Sequence, residues 1–250
     1  MISFDNSKPI FNPKPFKGAQ GVESAIFVFD DAHFARILSA HPHEDLVNDY
    51  GEPLGSPKIV VIDGERLFIT DGGTGGAAAA MEVEKMIASG VKNIVAFGTA
   101  GALSKDIPTG SVILPTAAFR DEGASYHYLP GSEEIAQSDA SIALLESEFS
   151  SNQIKFLKGK TWTTDAIYRE TVGKRELYKQ KGGLCVEMEC ASLLAVAKYR
   201  GVNFAQFLII LDNIDDNVPK TDYSLYQKLY DDNYFNIALN IIQQMKANYK

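Results

Sequence analysis

Two carboxylates separated by one methionine, Glu187-Met188-Glu189, stand where an apolar segment gives way to a helix predicted over 190–200. A carboxylate at the end of a strand can accept hydrogen bonds from two neighbouring sugar hydroxyls. It can also stabilise the positive charge that develops on a sugar ring while its glycosidic bond breaks. The same acids fit a solvated helix start, because the helix dipole favours negative charge there. The segment is therefore compatible with sugar binding and with glycosidic bond cleavage, but it fits an ordinary helix start equally well.

A further acid, Asp212, follows the apolar run 207–211 directly. A carboxyl group at the mouth of a dry strand can have a raised pKa and stay protonated near neutrality. Such a group is suited to donating a proton to a leaving base. The alternative is a turn or helix-capping aspartate in the polar segment 212–217.

Two glycine-rich loops each follow a predicted strand, one over 71–76 (DGGTGG) and one over 98–101 (GTAG). Glycine lets the backbone approach a ligand, and exposed amides favour an anion, so Gly73 is a candidate anion-binding residue. Thr99 can donate its hydroxyl to a phosphate or sugar oxygen. Neither loop has the ending of a P-loop or the spacing of a dinucleotide fingerprint, and a tight strand–helix turn is the alternative.

The elements that must position these residues alternate between strands and helices. Strands are predicted over 25–29, 58–62, 67–70, 93–98, 111–117, 154–161 and 204–211. Helices are predicted over 31–40, 76–89, 139–149, 171–181 and 190–200, with one or two more within 223–249. The remaining long segments are an extended arm over 1–22, a loop over 41–57 and a connection over 118–138. This order predicts one α/β domain over 1–250, with a largely parallel or mixed sheet covered on both faces.

Composition excludes several functional classes. The chain has 250 residues, 45% of them hydrophobic, and a formal net charge of −8, which disfavours a general nucleic-acid binder. The N-terminus lacks the pattern of a secretory signal, and the longest apolar run is too short to cross a bilayer, so no membrane association is expected. Cys185 and Cys190 lack metal-ligand spacing and predict reduced thiols in a cytoplasmic protein; no metal site is expected.

Taken together, the motifs resemble the nucleoside phosphorylase/nucleosidase superfamily, which contains uridine phosphorylase, hexameric purine nucleoside phosphorylase and methylthioadenosine nucleosidase. The resemblance runs from about Ala25 to Asp212 and rests on the segments 73–76 (GTGG), 98–102 (GTAGA), 120–125 (RDEGAS), 164–168 (TDAIY), 186–189 (VEME) and 210–212 (ILD). It implies a three-layer α/β/α sandwich around a twisted mixed β-sheet. It also implies a homodimer or homohexamer whose active site lies at a subunit contact.

The resemblance also implies roles for individual residues. Glu187, Met188 and Glu189 bind the ribose, and Glu189 and Asp212 are the catalytic residues. Asp212 protonates or hydrogen-bonds a purine at N7, and Ile167 and Val186 complete the base site. Ile167 stands where the family usually has a phenylalanine. Uridine phosphorylase recognises its base through a Gln and an Arg. The matching positions in this chain are Thr171 and Gly173, and this difference favours a purine as the base.

The phosphate site departs from the family pattern. The family's three phosphate-binding arginines are replaced by the stretch 30–34 (DDAHF), by Ala96 and, in a gapless count, by Pro53. Of the phosphate-binding residues, only Gly73 and Thr99 remain. The candidates for supplying the missing positive charge from a different direction are Arg36, Arg120 and Arg169. We expect a phosphorylase-type enzyme with nucleoside and phosphate as its small-molecule partners and no other cofactor. A hydrolytic nucleosidase and a non-catalytic nucleoside-binding or storage protein are the alternatives.

Overall fold

The computed structural model describes residues 4–48, 50–215 and 233–248. Within these ranges the chain forms ten strands. They are β1 (Ser24–Phe29), β2 (His43–Val47), β3 (Pro53–Ile62), β4 (Glu65–Thr70), β5 (Asn93–Ala102), β6 (Val112–Asp121), β7 (Glu134–Ala136), β8 (Phe156–Thr164), β9 (Gly183–Glu187) and β10 (Asn203–Asn213).

The helices alternate with these strands along most of the chain. They are α1 (Asp31–Ala40), α2 (Gly76–Ser89), α3 (Asp139–Ser151), α4 (Val172–Gln180), α5 (Cys190–Arg200) and α6 (Tyr234–Asn248). Two short 3-10 turns, Ala124–His127 and Ile167–Arg169, lie in the connections after β6 and β8. None of the helices in the described ranges has both the length and the apolar character needed to cross a membrane.

All ten strands belong to one mixed sheet with the order β10-β6-β8-β9-β5-β1-β4-β3-β2, and β7 pairs with β6. Strand β10 also pairs with β5, so β5, β10, β6, β8 and β9 close into a ring. Strands β1, β4, β5 and β10 run parallel to one another. The last residues of β9 pair antiparallel with the last residues of β5. The carboxyl ends of β5, β9 and β10 therefore meet, which is where ligands bind in open α/β sheets.

Helices cover the sheet on both sides and form two main layers of core. Helices α2 and α5 pack on one face against residues such as Ala25 and Phe27 of β1. Helices α1, α3 and α6 pack on the other face against Ile26 and Val28. Strand β1 is apolar throughout because its alternate side chains enter both layers. The predicted three-layer α/β/α sandwich around a mixed sheet is confirmed.

The predicted element types are largely confirmed, with two corrections. The segment 41–57 was predicted to be a loop, but it contains β2 and the first residues of β3, which pair at the edge of the sheet. The connection 118–138 is shorter than predicted, because β6 continues to Asp121 and β7 covers Glu134–Ala136. Of the helical segment predicted over 223–249, residues 223–232 and 249 lie outside the described residues. Cys185 and Cys190 are buried and form no disulfide.

A buried carboxyl group, Glu82 of α2, supports the turn that leaves β4. Its Oε1 accepts a hydrogen bond from the Thr70 hydroxyl at 2.6 Å, and that hydroxyl in turn accepts from the backbone N–H of Gly72 at 2.8 Å. Burial raises the pKa of Glu82 to about 7. The folded protein therefore prefers the protonated acid, so this group's contribution to stability falls as pH rises from about 4.5 through 7.

We predict that Glu82→Gln removes this pH dependence, because glutamine imitates the neutral acid and can still accept from Thr70. The free energy of unfolding should match that of the unsubstituted protein at pH 5 and exceed it by roughly 1–3 kcal/mol at pH 9. Urea titrations at both pH values measure the difference. The surface substitution Glu133→Gln is the control and should show no gain at pH 9. Equal stability of the Glu82→Gln and unsubstituted proteins at pH 9 would contradict the burial argument.

Candidate active site

A cavity of about 590 Å³ opens where the carboxyl ends of β1, β4, β5, β9 and β10 come together. The structure places all of the sequence-predicted site residues in its lining: Gly73, Thr99, Ile167, Val186, Glu187, Met188, Glu189 and Asp212. These residues come from five separate segments of the chain. Their convergence in one cavity is the geometric condition for joint action on one ligand.

Glu187, the last residue of β9, is held entirely by the protein. Its Oε1 accepts hydrogen bonds from the hydroxyls of Thr163 at 2.6 Å and Thr161 at 3.3 Å. Its Oε2 accepts from the backbone N–H groups of Glu189 at 2.9 Å and Cys190 at 2.7 Å. Four donors occupy the approximately four lone-pair positions of a carboxylate. This geometry makes Glu187 an anchor for the start of α5, and the ribose contact implied by the resemblance stays a prediction.

Glu189 stands next to this anchor, at the first turn of α5, and is 7% exposed. Its Oε1 accepts from the backbone N–H of Gly75 at 2.7 Å, and its Oε2 accepts from that of Met188 at 3.3 Å. Burial, reinforced by the nearby Glu187, raises the pKa of Glu189 to about 8. Each of its oxygens keeps a second lone pair, so Glu189 can also accept from ligand hydroxyls.

Asp212 lies in β10 just after an irregularity in its pairing with β5 between Ile210 and Asp212. Its carboxylate packs against Gly101 of β5, where a Cβ would lie 3.1 Å from Oδ1. A larger residue there would push the Asp212 carboxylate by a few tenths of an ångström. Burial raises the pKa of Asp212 above its ordinary value. The predicted protonatable acid at the mouth of a buried strand therefore has the expected surroundings.

Apolar side chains form part of the cavity wall. Val186 is 4% exposed and Met188 is half-buried, and both approach from the strand that ends at Glu187. Ile167 lies in the 3-10 turn after β8 and is 55% exposed. An isoleucine at the cavity with more than half of its surface open can cover a flat ring or a second protein surface.

The first glycine loop already uses two of its backbone donors within the protein. The Gly73 N–H donates to Asp71 Oδ1 at 3.1 Å, and the Gly75 N–H donates to Glu189. Gly73 and Gly75 have φ values of +64° and +92°, which only glycine adopts without strain. An anion at this loop would therefore compete with two carboxylates for these amides.

The cavity is strongly acidic. Seven carboxylates line it: Asp30, Asp31, Asp71, Glu170, Glu187, Glu189 and Asp212. Across residues 4–48, 50–215 and 233–248, no Lys, Arg or His belongs to the lining. A phosphate dianion in this cavity would lie near acidic side chains on most sides. The described residues add no cation to the lining that would balance its charge.

The three arginines considered as substitutes lie outside this lining. Arg120 is 5% exposed and donates to the carbonyl oxygens of Leu129 and Pro130 and to the hydroxyls of Ser125 and Ser132. It holds the connection after β6. Arg36 lies on α1, and Arg169 is exposed in the 3-10 turn after β8. The described chain therefore offers none of the three to a ligand in the cavity.

Reasoning from the sequence assigned no role to three carboxylates of the cavity, Asp31, Asp71 and Glu170. Asp71 directly precedes the glycine loop and resembles an ordinary turn residue. Glu170 follows the 3-10 turn in a charged, motif-free stretch, and only the folded chain brings it to the cavity. A signal for Asp71 was available, because it follows a strand in the same way as Asp30 and Asp212 do.

Comparison with known proteins agrees with this architecture. A family model described as the phosphorylase superfamily matches residues 25–237. The DeoD-type purine nucleoside phosphorylases of a Bacillus cereus strain and of Bacillus thuringiensis (strain Al Hakam) are each 31% identical over 155 residues. The alignment covers 60% of this chain and 65% of each relative, a little under two thirds of their length.

A solved structure shares the fold over nearly the whole chain. It is a purine nucleoside phosphorylase from Toxoplasma gondii in complex with immucillin-H, with a TM-score of 0.79 and 20% identity. The superposition covers 97% of this chain and 100% of that one. This likeness supports the α/β/α fold described above. The chain belongs to the phosphorylase superfamily.

The Glu187 anchor leads to a prediction about stability. Glu187→Ala removes the acceptor of four buried donors, although the Thr161 hydroxyl keeps a second acceptor, the Cys185 carbonyl oxygen at 3.4 Å. The substitution should lower the free energy of unfolding by about 2–4 kcal/mol. Glu187→Gln keeps one acceptor oxygen and should cost less. Denaturant titrations compare both with the surface control Glu133→Ala. A Glu187→Ala protein as stable as this control would contradict the anchoring role.

Proposed function

We propose that this protein cleaves the N-glycosidic bond of a nucleoside that carries a purine base. The proposal rests on one observation: Glu189 and Asp212, which come from different segments, line the same cavity. Met188 and several other apolar side chains line it with them. Cleavage of a nucleoside requires one functional group at its sugar and another at its base. The sugar requires an acceptor for vicinal hydroxyls, and the base requires a proton donor as it leaves.

Asp212 is the proposed acid for the base. Burial raises its pKa, which favours the protonated form, and its position beside Gly101 keeps the carboxyl group at the cavity. Donation to N7 of a purine neutralises the charge that the departing base would otherwise carry. The electron pair of the glycosidic bond then leaves with a neutral base, which lowers the barrier.

Glu189 is the proposed acceptor for the ribose hydroxyls. Two backbone N–H groups fix its carboxylate, so the geometry is set before a ligand binds. The sugar becomes positively charged in the transition state, and this charge favours the ionised form of Glu189. The interaction therefore strengthens as the bond breaks, which is the condition for catalysis.

Water is the nucleophile that the geometry favours. The acidic lining and the engaged amides of Gly73 and Gly75 disfavour a phosphate dianion. A carboxylate such as Asp30 or Glu189 can accept a hydrogen bond from a water molecule and direct it toward C1′ of the sugar. The products are then free ribose and a purine.

Phosphate is the second candidate nucleophile. The relatives named above are called phosphorylases, and the Thr99 hydroxyl lines the cavity as a possible donor to a phosphate oxygen. The product would then be ribose 1-phosphate. A charge donated by a neighbouring subunit would make this route compatible with the acidic lining.

A homo-oligomer is part of the proposal. Tyr168, within the turn that carries Ile167, is 97% exposed, and Val172, the first residue of α4, is 62% exposed. Apolar side chains in this position suit a second copy of the chain, either as a homodimer or within a homohexamer. The two buried free cysteines are consistent with a cytoplasmic location, which we also propose.

Purine release with and without phosphate tests the nucleophile. We expect adenosine or inosine to yield free base at equal rates in phosphate-free buffer and in 50 mM phosphate. Chromatography of the sugar product should show ribose. Release that requires phosphate would overturn the hydrolytic assignment in favour of phosphorolysis. Nucleoside binding without any release would support the non-catalytic alternative and overturn the proposed enzyme.

Two substitutions test the assigned roles. Asp212→Asn removes the proton but keeps a polar side chain, and should lower kcat for purine release by roughly 100-fold or more. Glu189→Ala should reduce turnover of ribosides at least as strongly. Thermal unfolding checks that both variants fold, with Glu133→Gln as the matched surface control. A folded Asp212→Asn enzyme with unchanged kcat would show that another group protonates the base.

A further inference from the structure

Glu170 is an acid in the cavity to which the proposed reaction gives no role. It directly follows the 3-10 turn of Ile167 and is half-buried. Its carboxylate forms no hydrogen bond or ion pair with any other residue of the described ranges. Because it lines the cavity beside the proposed base site, its unused acceptors are available to a ligand there.

Glu170 and Asp212 line the same cavity, and the charge of Asp212 acts on Glu170. Burial, with the charge of Asp212, raises the pKa of Glu170 to about 7, and burial also raises that of Asp212. Two acids that repel each other do not readily ionise together, so the pair favours the state in which one of them keeps its proton. The pair then presents one hydrogen-bond donor and one acceptor to the cavity.

The two common kinds of purine differ at the edge that carries N7. Adenine presents the N7 acceptor next to the donor hydrogens of its 6-amino group, whereas guanine presents N7 and O6, which are both acceptors. Hypoxanthine has the same O6 and N7 acceptors. A pair of acids with one proton matches the first pattern. The second pattern would require both acids to be protonated.

The rest of the lining supports the same preference. Apart from protonated carboxyl groups, Thr74 and Thr99 supply the side-chain hydroxyl donors of the lining in the described chain. The other polar side chains of that lining are carboxylates. At the edge that carries N7, a 6-amino base brings N–H donors that find acceptors in such a cavity, whereas a 6-oxo base brings a second acceptor, O6.

We propose that Glu170 is a specificity-determining residue that accepts a hydrogen bond from the 6-amino group of the base while Asp212 engages N7. The inference rests on the proposed function, because it takes the cavity to be a nucleoside site. It narrows the substrate class to 6-aminopurine nucleosides such as adenosine, over 6-oxopurine nucleosides such as inosine. Glu170 contributes to the choice of base, and Asp212 supplies the proton.

The test compares kcat/KM for adenosine and inosine in the unsubstituted enzyme, Glu170→Gln and Glu170→Ala. We expect the unsubstituted enzyme to prefer adenosine. In Glu170→Gln the amide can donate to O6, so the preference should fall by about tenfold or more, with an absolute gain for inosine. Glu170→Ala should lose activity on adenosine without that gain. Glu133→Gln, a substitution outside the cavity lining, should leave the ratio unchanged.

Binding of the free bases separates this inference from the proposed function. Calorimetry should give a lower Kd for adenine than for hypoxanthine, and Glu170→Gln should reduce that difference by about tenfold. If the enzyme cleaves nucleosides but Glu170→Gln leaves both ratios unchanged, the role of Glu170 is wrong and the proposed function stands. If neither nucleoside is cleaved while adenine selectivity still depends on Glu170, the proposed reaction is wrong and the role of Glu170 in recognising the base stands. Absence of binding and cleavage overturns both.

Discussion

The site depends on one buried carboxylate at the junction of β9 and α5. Glu187 accepts hydrogen bonds from the backbone of Glu189 and Cys190 and from two threonines of β8. These bonds tie the start of the helix to the sheet. Together with the positive end of the helix they favour the charged form of Glu187, but burial is the larger effect and raises its pKa. The position of Glu189, and with it the sugar end of the cavity, follows from this anchor. Glu187, which has no lone pair left for a ligand, thus positions Glu189, which faces the cavity.

The charge of the cavity sets the chemistry that the fold can perform. Seven carboxylates line the cavity, and the described chain adds no cation to it. Such surroundings favour protonated acids, ligands rich in hydrogen-bond donors and a transition state with positive charge on the sugar. They oppose a bound dianion. The proposed water nucleophile, the proposed role of Asp212 as proton donor and the proposed preference for a base with an amino group all follow from this electrostatic condition.

The sequence predicted much of the fold because the inner strands are apolar on both faces and the helices are capped by clear signals, such as Gly90 after α2 and Gly201 after α5. It failed at 41–57, where prolines and glycines suggested a loop but edge pairing stabilises β2 and β3. The eight site residues predicted from the sequence all line one cavity, and their individual roles stay predictions. The sequence could not show that Glu187 accepts from four protein donors or that Glu170 and Asp212 line the same cavity, because both depend on how distant segments come together in the fold.

The central claim is that Glu189 and Asp212 hold the two ends of one nucleoside. A crystal structure with a non-cleavable C-nucleoside of adenine type tests it most directly. The account predicts the vicinal ribose hydroxyls within about 2.6–3.2 Å of the Glu189 carboxylate, and the ring nitrogen corresponding to N7 at the same distance from Asp212. A ligand bound in this cavity with its sugar away from Glu189, or its base away from Asp212, would contradict the claim.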